Sequence, residues 1–371
     1  MARFARDVTL AAHTTLGVGG PAWGFGEARD VEALRALLAE ADAAARPVLI
    51  LGEGSNLLVS DAGFAGLVIV PRDDALTFAE EGDAVRVRAA AGVRWDALVA
   101  RTVEAGLAGL ECLSGIPGLS GAAPIQNIGA YGQEVAEVLD VVEVLDRESG
   151  RAEHLPAAAC GFGYRESAFK SRWRERYVVT ALQLRLSRTA PPRLAYAELA
   201  RALPTLPADR GAALAAVRQA VLSIRRAKAM VLDPDDPDTR SAGSFFTNPL
   251  VSREDVERIA DRLARSGLDP ASMPRYPVAG DGARVKLSAA WLIERSGFAK
   301  GARLGAAGLS SRHVLALVNR GGARAAELVT LAARIRRRVC DTFGVTLEPE
   351  PVFVGFPAGF SLDDAEPSVG A

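Results

Sequence analysis

The apolar positions of the chain set its frame. Leu34, Leu37 and Leu38 recur at helical spacing just after Asp30, which predicts an amphipathic helix capped by that carboxylate. The same reading predicts helices over Trp95–Gly106, ended by glycine, and over Ala213–Lys228. Further helices are predicted over Arg253–Arg265, with Ser252 and Asp255 at its cap, over Lys286–Gly297 and over Ala323–Phe343. Short apolar or alternating runs predict strands at Pro47–Gly52, Gly66–Pro71, Val85–Gly92, Val141–Asp146, Arg176–Leu186 and His313–Asn319. Thr346–Gly355 (TLEPEPVFVG) has a strand-like apolar frame carrying two carboxylates and two prolines. The tail after Gly355 is small and polar and is expected to fray. Strands interleaved with helices, with glycine-rich loops at strand ends, imply an α+β or α/β class with mixed sheets.

One stretch obeys neither period. Leu113–Val135 (LSGIPGLSGAAPIQNIGAYGQEV) is broken by glycines and by Pro117 and Pro124, and carries no charge before Glu134. Glycine lets backbone approach a ligand closely and proline stiffens the path. A long apolar loop of this kind is either a buried structural thread or a wall built against a large flat cofactor. Just after the strand at Pro47–Gly52 comes GEGSN, where Gly52, Gly54, Ser55 and Asn56 gather backbone N–H groups and short polar side chains suited to a diphosphate. The turn lacks the lysine of a P-loop and the third glycine of a Rossmann turn, so by itself it reads equally as an ordinary tight turn.

Composition narrows the class. The 371 residues are 49% hydrophobic and 24% charged, enough for two or three domains, with a net charge of −1 that gives no basic field for nucleic acid or an anionic membrane. Cys112, Cys160 and Cys340 are far apart, which fits a reducing cytoplasm rather than a disulfide framework. His13, His154 and His313 are scattered and suggest no metal. No signal peptide or bilayer-spanning run is read from the sequence. The proline-acidic run Asp233–Asp238 (DPDDPD) marks a domain boundary.

Taken in order, GEGSN, IPGLSGAAPIQNIGAYG, FGYRESAFK, AGSFFTNP and LEPE resemble the UDP-N-acetylenolpyruvoylglucosamine reductase (MurB) family. The likeness runs from about residue 10 to residue 355. Leu194–Leu199 (LAYAEL) resembles the tyrosine-bearing loop of the family's type I members. The resemblance implies an α+β fold with two FAD-binding subdomains of the vanillyl-alcohol-oxidase (PCMH) type, residues 1–72 and 73–233, the second completed by 344–371. It also implies a substrate-binding domain at 234–343.

By the same resemblance FAD is held non-covalently by Gly52, Gly54, Ser55, Asn56, Pro117, Gly118, Ser120, Gly121, Ile128, Gly129, Ala130 and Tyr131. The reaction implied is NADPH-dependent reduction of UDP-N-acetyl-3-O-(1-carboxyvinyl)-glucosamine to UDP-N-acetylmuramate, a cytoplasmic step of peptidoglycan synthesis, by a monomer that needs no nucleic acid, membrane or metal. Arg165 would meet the substrate carboxylate, Ser244 would give the proton and Glu350 would polarise the carboxylate. Tyr196 would close over the substrate. Arg225, Lys228, Asn248, Tyr276, Lys300 and His313 would contact the nucleotide sugar. Two departures stand out. His313 takes the place of a glutamine in some members, and Val352 stands where some relatives carry an arginine near the flavin. Another FAD-dependent oxidoreductase of the same fold, or a non-catalytic nucleotide-sugar sensor, remain alternatives. The first would lack the Arg165–Ser244–Glu350 set and react with oxygen.

Overall fold

The computed structural model describes residues 4–265, 267–278 and 281–365. The chain forms two compact units. One comprises Met1–Val8, Ala22–Glu53 and Ala65–Val231, and the other Thr9–Pro21, Gly54–Phe64 and Leu232–Ala371. Each is built from non-contiguous pieces, and the chain passes from the first to the second for good at the acidic linker.

In the first unit, helix α1 (Val31–Ala43) starts where expected, with the Asp30 carboxylate accepting the Ala33 N–H at 2.7 Å. Its Leu34, Leu37, Leu38 and Ala41 pack on Leu67 and Ile69 of one sheet and on Leu145 and Val178 of another. The first sheet runs Phe4–Ala5, Pro21–Ala28, Phe64–Pro71, Val48–Ile50, the last two parallel. The second is antiparallel throughout, in the order Ala152–Pro156, Leu139–Asp146, Tyr177–Ser187, Ala84–Ala90, Leu76–Glu81. Its inner face carries Val85, Val87, Val142, Val144, Leu182 and Leu184, buried with Trp95, Leu98 and Val99 of α2 (Trp95–Glu104). A short helix, α3 (Ala197–Ala202), precedes the long α4 (Arg210–Ala227). Helix α4 is fixed to α2 by Arg218, which grips the Asp96 carboxylate with two nitrogens at 2.6 and 2.9 Å.

The strand at Pro21–Ala28 has no counterpart in the sequence reading. Its inward positions are Ala22, Gly24, Gly26 and Ala28, so no large apolar residue marks the alternation. The small residues are needed because a Cβ on Gly24 or Gly26 would lie 2.8 Å from the side chains of Leu67 and Leu37 respectively.

The second unit holds α5 (Arg253–Arg265), α6 (Ala289–Arg295) and α7 (Ala325–Phe343) around one core that includes Leu16, Leu58, Phe245, Phe246, Ile293, Leu328 and Ile335. Ser252 and Asp255 cap α5 as expected, each side chain accepting the other's backbone N–H at 3.0–3.1 Å. Asp61 caps α7 from a distant part of the chain, accepting the Ala325 and Ala326 N–H groups at 2.8 and 3.1 Å. Leu250–Ser252, Asp281–Leu287 and Arg275–Val278 form one antiparallel sheet, and Arg303–Leu304, Ala307–Leu309 and Leu317–Asn319 another.

Three expectations change here. Lys286 and Leu287 end a strand, and α6 begins only after Ser288, whose hydroxyl accepts the Trp291 N–H. The strand predicted over His313–Asn319 starts at Leu317, because Ser310–Ala316 turns on itself through the Ser310 N–H to Ala316 carbonyl bond. The tail after Gly355 docks rather than frays over its described residues. Phe356 meets Phe353 edge to face at 5.4 Å, Phe360 lies tilted against it at 5.6 Å, and Leu362 is buried. Residues 366–371 lie outside the described residues. No described helix is long and apolar enough to cross a membrane.

Candidate active site

The loop at Leu113–Val135 lies in the first unit and is stitched to its scaffold. The Trp95 N–H donates to the Gly118 carbonyl at 2.9 Å and the Trp95 indole to the Leu113 carbonyl at 3.1 Å. The Ser120 N–H and hydroxyl both donate to the Val93 carbonyl, at 2.8 and 3.0 Å, and the Gly121 N–H donates to that of Ala91. Ser120 is fully buried. Its donors and that of Gly121 go to the scaffold and pin the loop. Ile128 is buried, Ala130 packs on the sheet core, and Pro117 stays half-buried.

Glu53, within GEGSN, accepts the Gly118 N–H at 2.8 Å and pairs with Arg94 at 3.0 Å. One carboxylate thus ties together the two segments expected to hold the cofactor. The sequence reading passed over it, although an acid in a turn otherwise suited to anions was the available signal. The same unit has a narrow apolar crevice of about 30 Å³ lined by Val31, Leu34, Ile50, Ile69, Pro71 and Val179, among others.

The far half of the loop ends in a hairpin. Gly129–Ala130 pair with Gln133–Glu134, and both turn residues have positive φ, Tyr131 at 49° and Gly132 at 79°. That is the type I′ turn that suits a two-residue hairpin. Asn127 braces it, donating to Glu134 at 2.7 Å and to the Gly163 carbonyl at 3.0 Å.

Arg165 sits beside this hairpin on a second tight turn, whose end residues Gly163 and Glu166 exchange two backbone hydrogen bonds at 3.0 and 3.2 Å. Its φ is 56°, a left-handed conformation that costs an L-residue roughly 1–2 kcal/mol. The surroundings hold it there: an Arg165 Nη2–H donates to the Gly129 carbonyl at 2.9 Å, and Lys170 Nζ donates to the Arg165 carbonyl at 2.7 Å. Strain retained on a charged residue is the kind found at functional sites.

Arg225, Lys228, Tyr131 and Tyr196 cluster in the same unit. Arg225 Nη2 donates to the Met230 carbonyl at 2.8 Å. Burial holds its pKa below the ordinary arginine value, more than Tyr131 and Asp96 restore, and Arg165 pushes the same way. Two guanidinium groups are therefore close enough to repel, an arrangement that favours an anion between or beside them. Burial also drives the Tyr131 phenol up to about 12, so it is neutral at physiological pH. The Tyr131 and Tyr196 rings meet edge to face at 5.5 Å, with Tyr196 44% exposed. Lys228 Nζ pairs with Glu198 at 2.6 Å.

The second unit brings Ser244 and Glu350 onto adjoining backbone. Phe245, next to Ser244, donates its N–H to the Leu315 carbonyl at 2.8 Å, and its carbonyl accepts the Glu350 N–H at 2.9 Å. Gly243, with φ of 72°, turns the chain into this position. Asn56 joins the same group: its Nδ2 donates to the Glu350 carbonyl at 3.3 Å and its carbonyl accepts the Val352 N–H at 2.9 Å. Ser55 beside it is half-buried. Asn248 Oδ1 caps α6 by accepting the Ala289 N–H, which leaves the amide NH₂ as the group it can present. His313 Nδ1 accepts the Leu315 N–H at 3.1 Å, which sets the tautomer with the proton on Nε2. Tyr276 is 44% exposed on its strand and Lys300 is exposed. Arg165 thus belongs to one unit, and Ser244 and Glu350 to the other. Among the described residues no group of His, Cys, Asp and Glu could hold a metal.

Gly54 tests the turn. Its φ is 63°, and a Cβ there would lie 2.2 Å from the His13 carbonyl oxygen and 2.7 Å from Thr14 Cα, all backbone that cannot step aside. Gly54→Ala is expected to cost about 2–5 kcal/mol, the sum of the left-handed penalty and overpacking. Gly52→Ala, whose Cβ would meet Leu119 at an ordinary 3.7 Å, should fold normally. Equal urea midpoints for the two variants would contradict the turn geometry.

Comparison with known proteins places these features. Residues 235–354 match the family model of the UDP-N-acetylenolpyruvoylglucosamine reductase C-terminal domain, and residues 24–155 match an FAD binding domain. The chain is 52% identical to the UDP-N-acetylenolpyruvoylglucosamine reductase of Thermobifida fusca, over 95% of this chain and 98% of that one. It is 51% identical to that of Saccharopolyspora erythraea, over 93% and 94%. Among solved structures, that of the enzyme from Thermus caldophilus aligns with a TM-score of 0.64 at 28% identity, covering 95% of this chain and 100% of the other.

Proposed function

Because this chain belongs to the UDP-N-acetylenolpyruvoylglucosamine reductase family, we propose that it reduces UDP-N-acetyl-3-O-(1-carboxyvinyl)-glucosamine to UDP-N-acetylmuramate with NADPH as reductant. The observation that carries this reading is Arg165, held left-handed beside a glycine-rich loop and a second guanidinium. We further propose that the protein acts as a cytoplasmic monomer. Residues 1–72 and 73–233, with 344–371, serve the flavin, and 234–343 serve the substrate.

FAD fits the residues present. The pinned loop offers a wall that carries no charge before Glu134, and the Gly52–Asn56 turn gathers backbone N–H groups and short polar side chains suited to a diphosphate. Gly52, Gly54, Ser55, Asn56, Pro117, Gly118, Ser120, Gly121, Ile128, Gly129, Ala130 and Tyr131 would hold it without a covalent link. When bound, FAD supplies the hydride to the terminal vinyl carbon of the substrate.

Negative charge then develops on the neighbouring carbon and spreads into the substrate carboxylate. Arg165 meets that charge with its planar fork, and stabilising charge as it develops is commonly a large catalytic effect. Ser244 Oγ–H gives the proton to the carbon. Glu350 acts on the carboxylate through a shared proton or donor, since two bare carboxylates repel. Arg225 and Lys228 hold the anionic groups of the nucleotide sugar, while Asn248, Tyr276, Lys300 and the Nε2–H of His313 contact its UDP part.

Tyr196 closes over the substrate through its hydroxyl. Tyr196→Phe keeps the ring that meets Tyr131 edge to face and loses only the O–H. It is expected to raise the substrate Kd by about 2- to 10-fold, the worth of one hydrogen bond, with flavin reduction by NADPH unchanged. An equal loss in both half-reactions would make Tyr196 a packing residue. The reading as a whole is tested by incubating the protein with NADPH and the enolpyruvyl sugar nucleotide. A product heavier by two hydrogens, identified as UDP-N-acetylmuramate by mass, supports it, and unchanged substrate sinks it.

A further inference from the structure

We propose that Glu198 is a positioning residue that occupies Lys228 until an anionic group of the substrate displaces it, so that substrate capture and the placement of Tyr196 are one event. This rests on the reading of Lys228 as a substrate-binding cation. The pair is close, 2.6 Å from Lys228 Nζ to Glu198 Oε2, and both side chains are 33% exposed, open enough to water for partners to exchange.

The other carboxylates near this cluster are committed elsewhere. Asp96 takes two Arg218 nitrogens and the Gly115 N–H, the last at 2.6 Å. Glu111 is buried and accepts the Gly109 and Arg193 N–H groups at 2.7 and 2.9 Å. Glu134 takes Asn127. Tyr131, with its pKa pushed up to about 12, brings no charge. Glu198 is thus the anion set against Lys228, and it occupies the ammonium with the same chemistry that a substrate phosphate or carboxylate would use.

Its place in the chain makes the exchange matter. Glu198 lies in the first turn of α3, two residues after Tyr196. The next residue, Leu199, is fully buried with Cys112, Val217 and Val221, and Leu194 and Leu203 pack on the same cluster. The segment is therefore anchored on one face by leucines, while Tyr196 and Glu198 lie on its more exposed side. Releasing Glu198 from Lys228 removes one tether on the first turn of the helix, beside Tyr196, and leaves the leucine anchor in place. A resident carboxylate of this kind reduces apparent affinity by the fraction of protein in which it holds the lysine.

Glu198→Gln keeps the shape and removes the charge. The expected result, read by calorimetric titration of the FAD-loaded protein with UDP-N-acetyl-3-O-(1-carboxyvinyl)-glucosamine, is a Kd about two- to sixfold lower than wild type, the change that a partly exposed ion pair supports. In a Lys228→Met background the same substitution should have no effect on Kd. A purely structural Glu198 predicts instead a lower melting temperature with Kd unchanged or raised, and either Kd result overturns the proposal. Lys228→Met alone separates the two levels. If it weakens binding while Glu198→Gln fails to tighten it, only the exchange is wrong. If Lys228→Met leaves Kd at the wild-type value, Lys228 is not a substrate cation and both readings fall.

Discussion

Replacing Ser244 with alanine is expected to slow reoxidation of the reduced protein by the enolpyruvyl substrate by about 100- to 10,000-fold, the range that general acid catalysis contributes. Reduction by NADPH should stay near the wild-type rate, because that half-reaction needs no proton donor on the substrate. The contrast is interpretable because the change is local. The neighbouring Phe245 is held on both sides, by the Leu315 carbonyl and by the Glu350 N–H, and alanine alters neither backbone bond. Ser244→Cys should recover part of the loss, since a thiol can also deliver a proton. A serine is a weak acid, so nearby groups or water must take up the charge that it leaves. Stopped-flow absorbance follows the two half-reactions separately. Wild-type reoxidation in Ser244→Ala would mean that the proton comes from another group.

Arg165→Lys should divide turnover from affinity. Lysine keeps the positive charge but loses the fork that meets a carboxylate with two parallel N–H bonds, and it loses the bond from Arg165 Nη2 to the Gly129 carbonyl. The left-handed backbone is equally unfavourable for lysine, so the substitution does not release or add that strain. If Arg165 acts mainly on charge that develops in the transition state, kcat should fall by about 100- to 1,000-fold, as for loss of one oxyanion donor. The nucleotide-sugar Kd should change by no more than a few-fold. A rise in KM with kcat intact would instead make Arg165 a plain binding residue.

What the sequence made legible follows from how local each signal is. The Asp30 cap, the Ser252–Asp255 cap and the last long helix depend on residues within a few positions of one another, and they appear as read, the helix within two residues of its expected start. The ordered motifs also pointed to the family, because five short matches in sequence are specific where each is weak. The strand at Pro21–Ala28 was hidden by its small inward residues, which leave no alternation to detect. The start of α6 was blurred because Leu287 continues the apolar pattern across the Ser288 cap. The non-contiguous make-up of the second unit, in which Asp61 caps α7 and Asn56 reaches Glu350, depends on residues more than 260 positions apart. Glu53 and Glu198 were missed for the same reason: what makes each of them important is a partner on another loop or helix.

The most direct test of the central claim is anaerobic reoxidation of the wild-type protein. Purified protein should be yellow from bound FAD and should bleach on NADPH without oxygen. On then adding the enolpyruvyl sugar nucleotide, the account predicts return of the colour in proportion to substrate added, with one UDP-N-acetylmuramate formed per flavin reoxidised. Colour that returns only when oxygen is admitted, with the sugar nucleotide left unchanged, would contradict it.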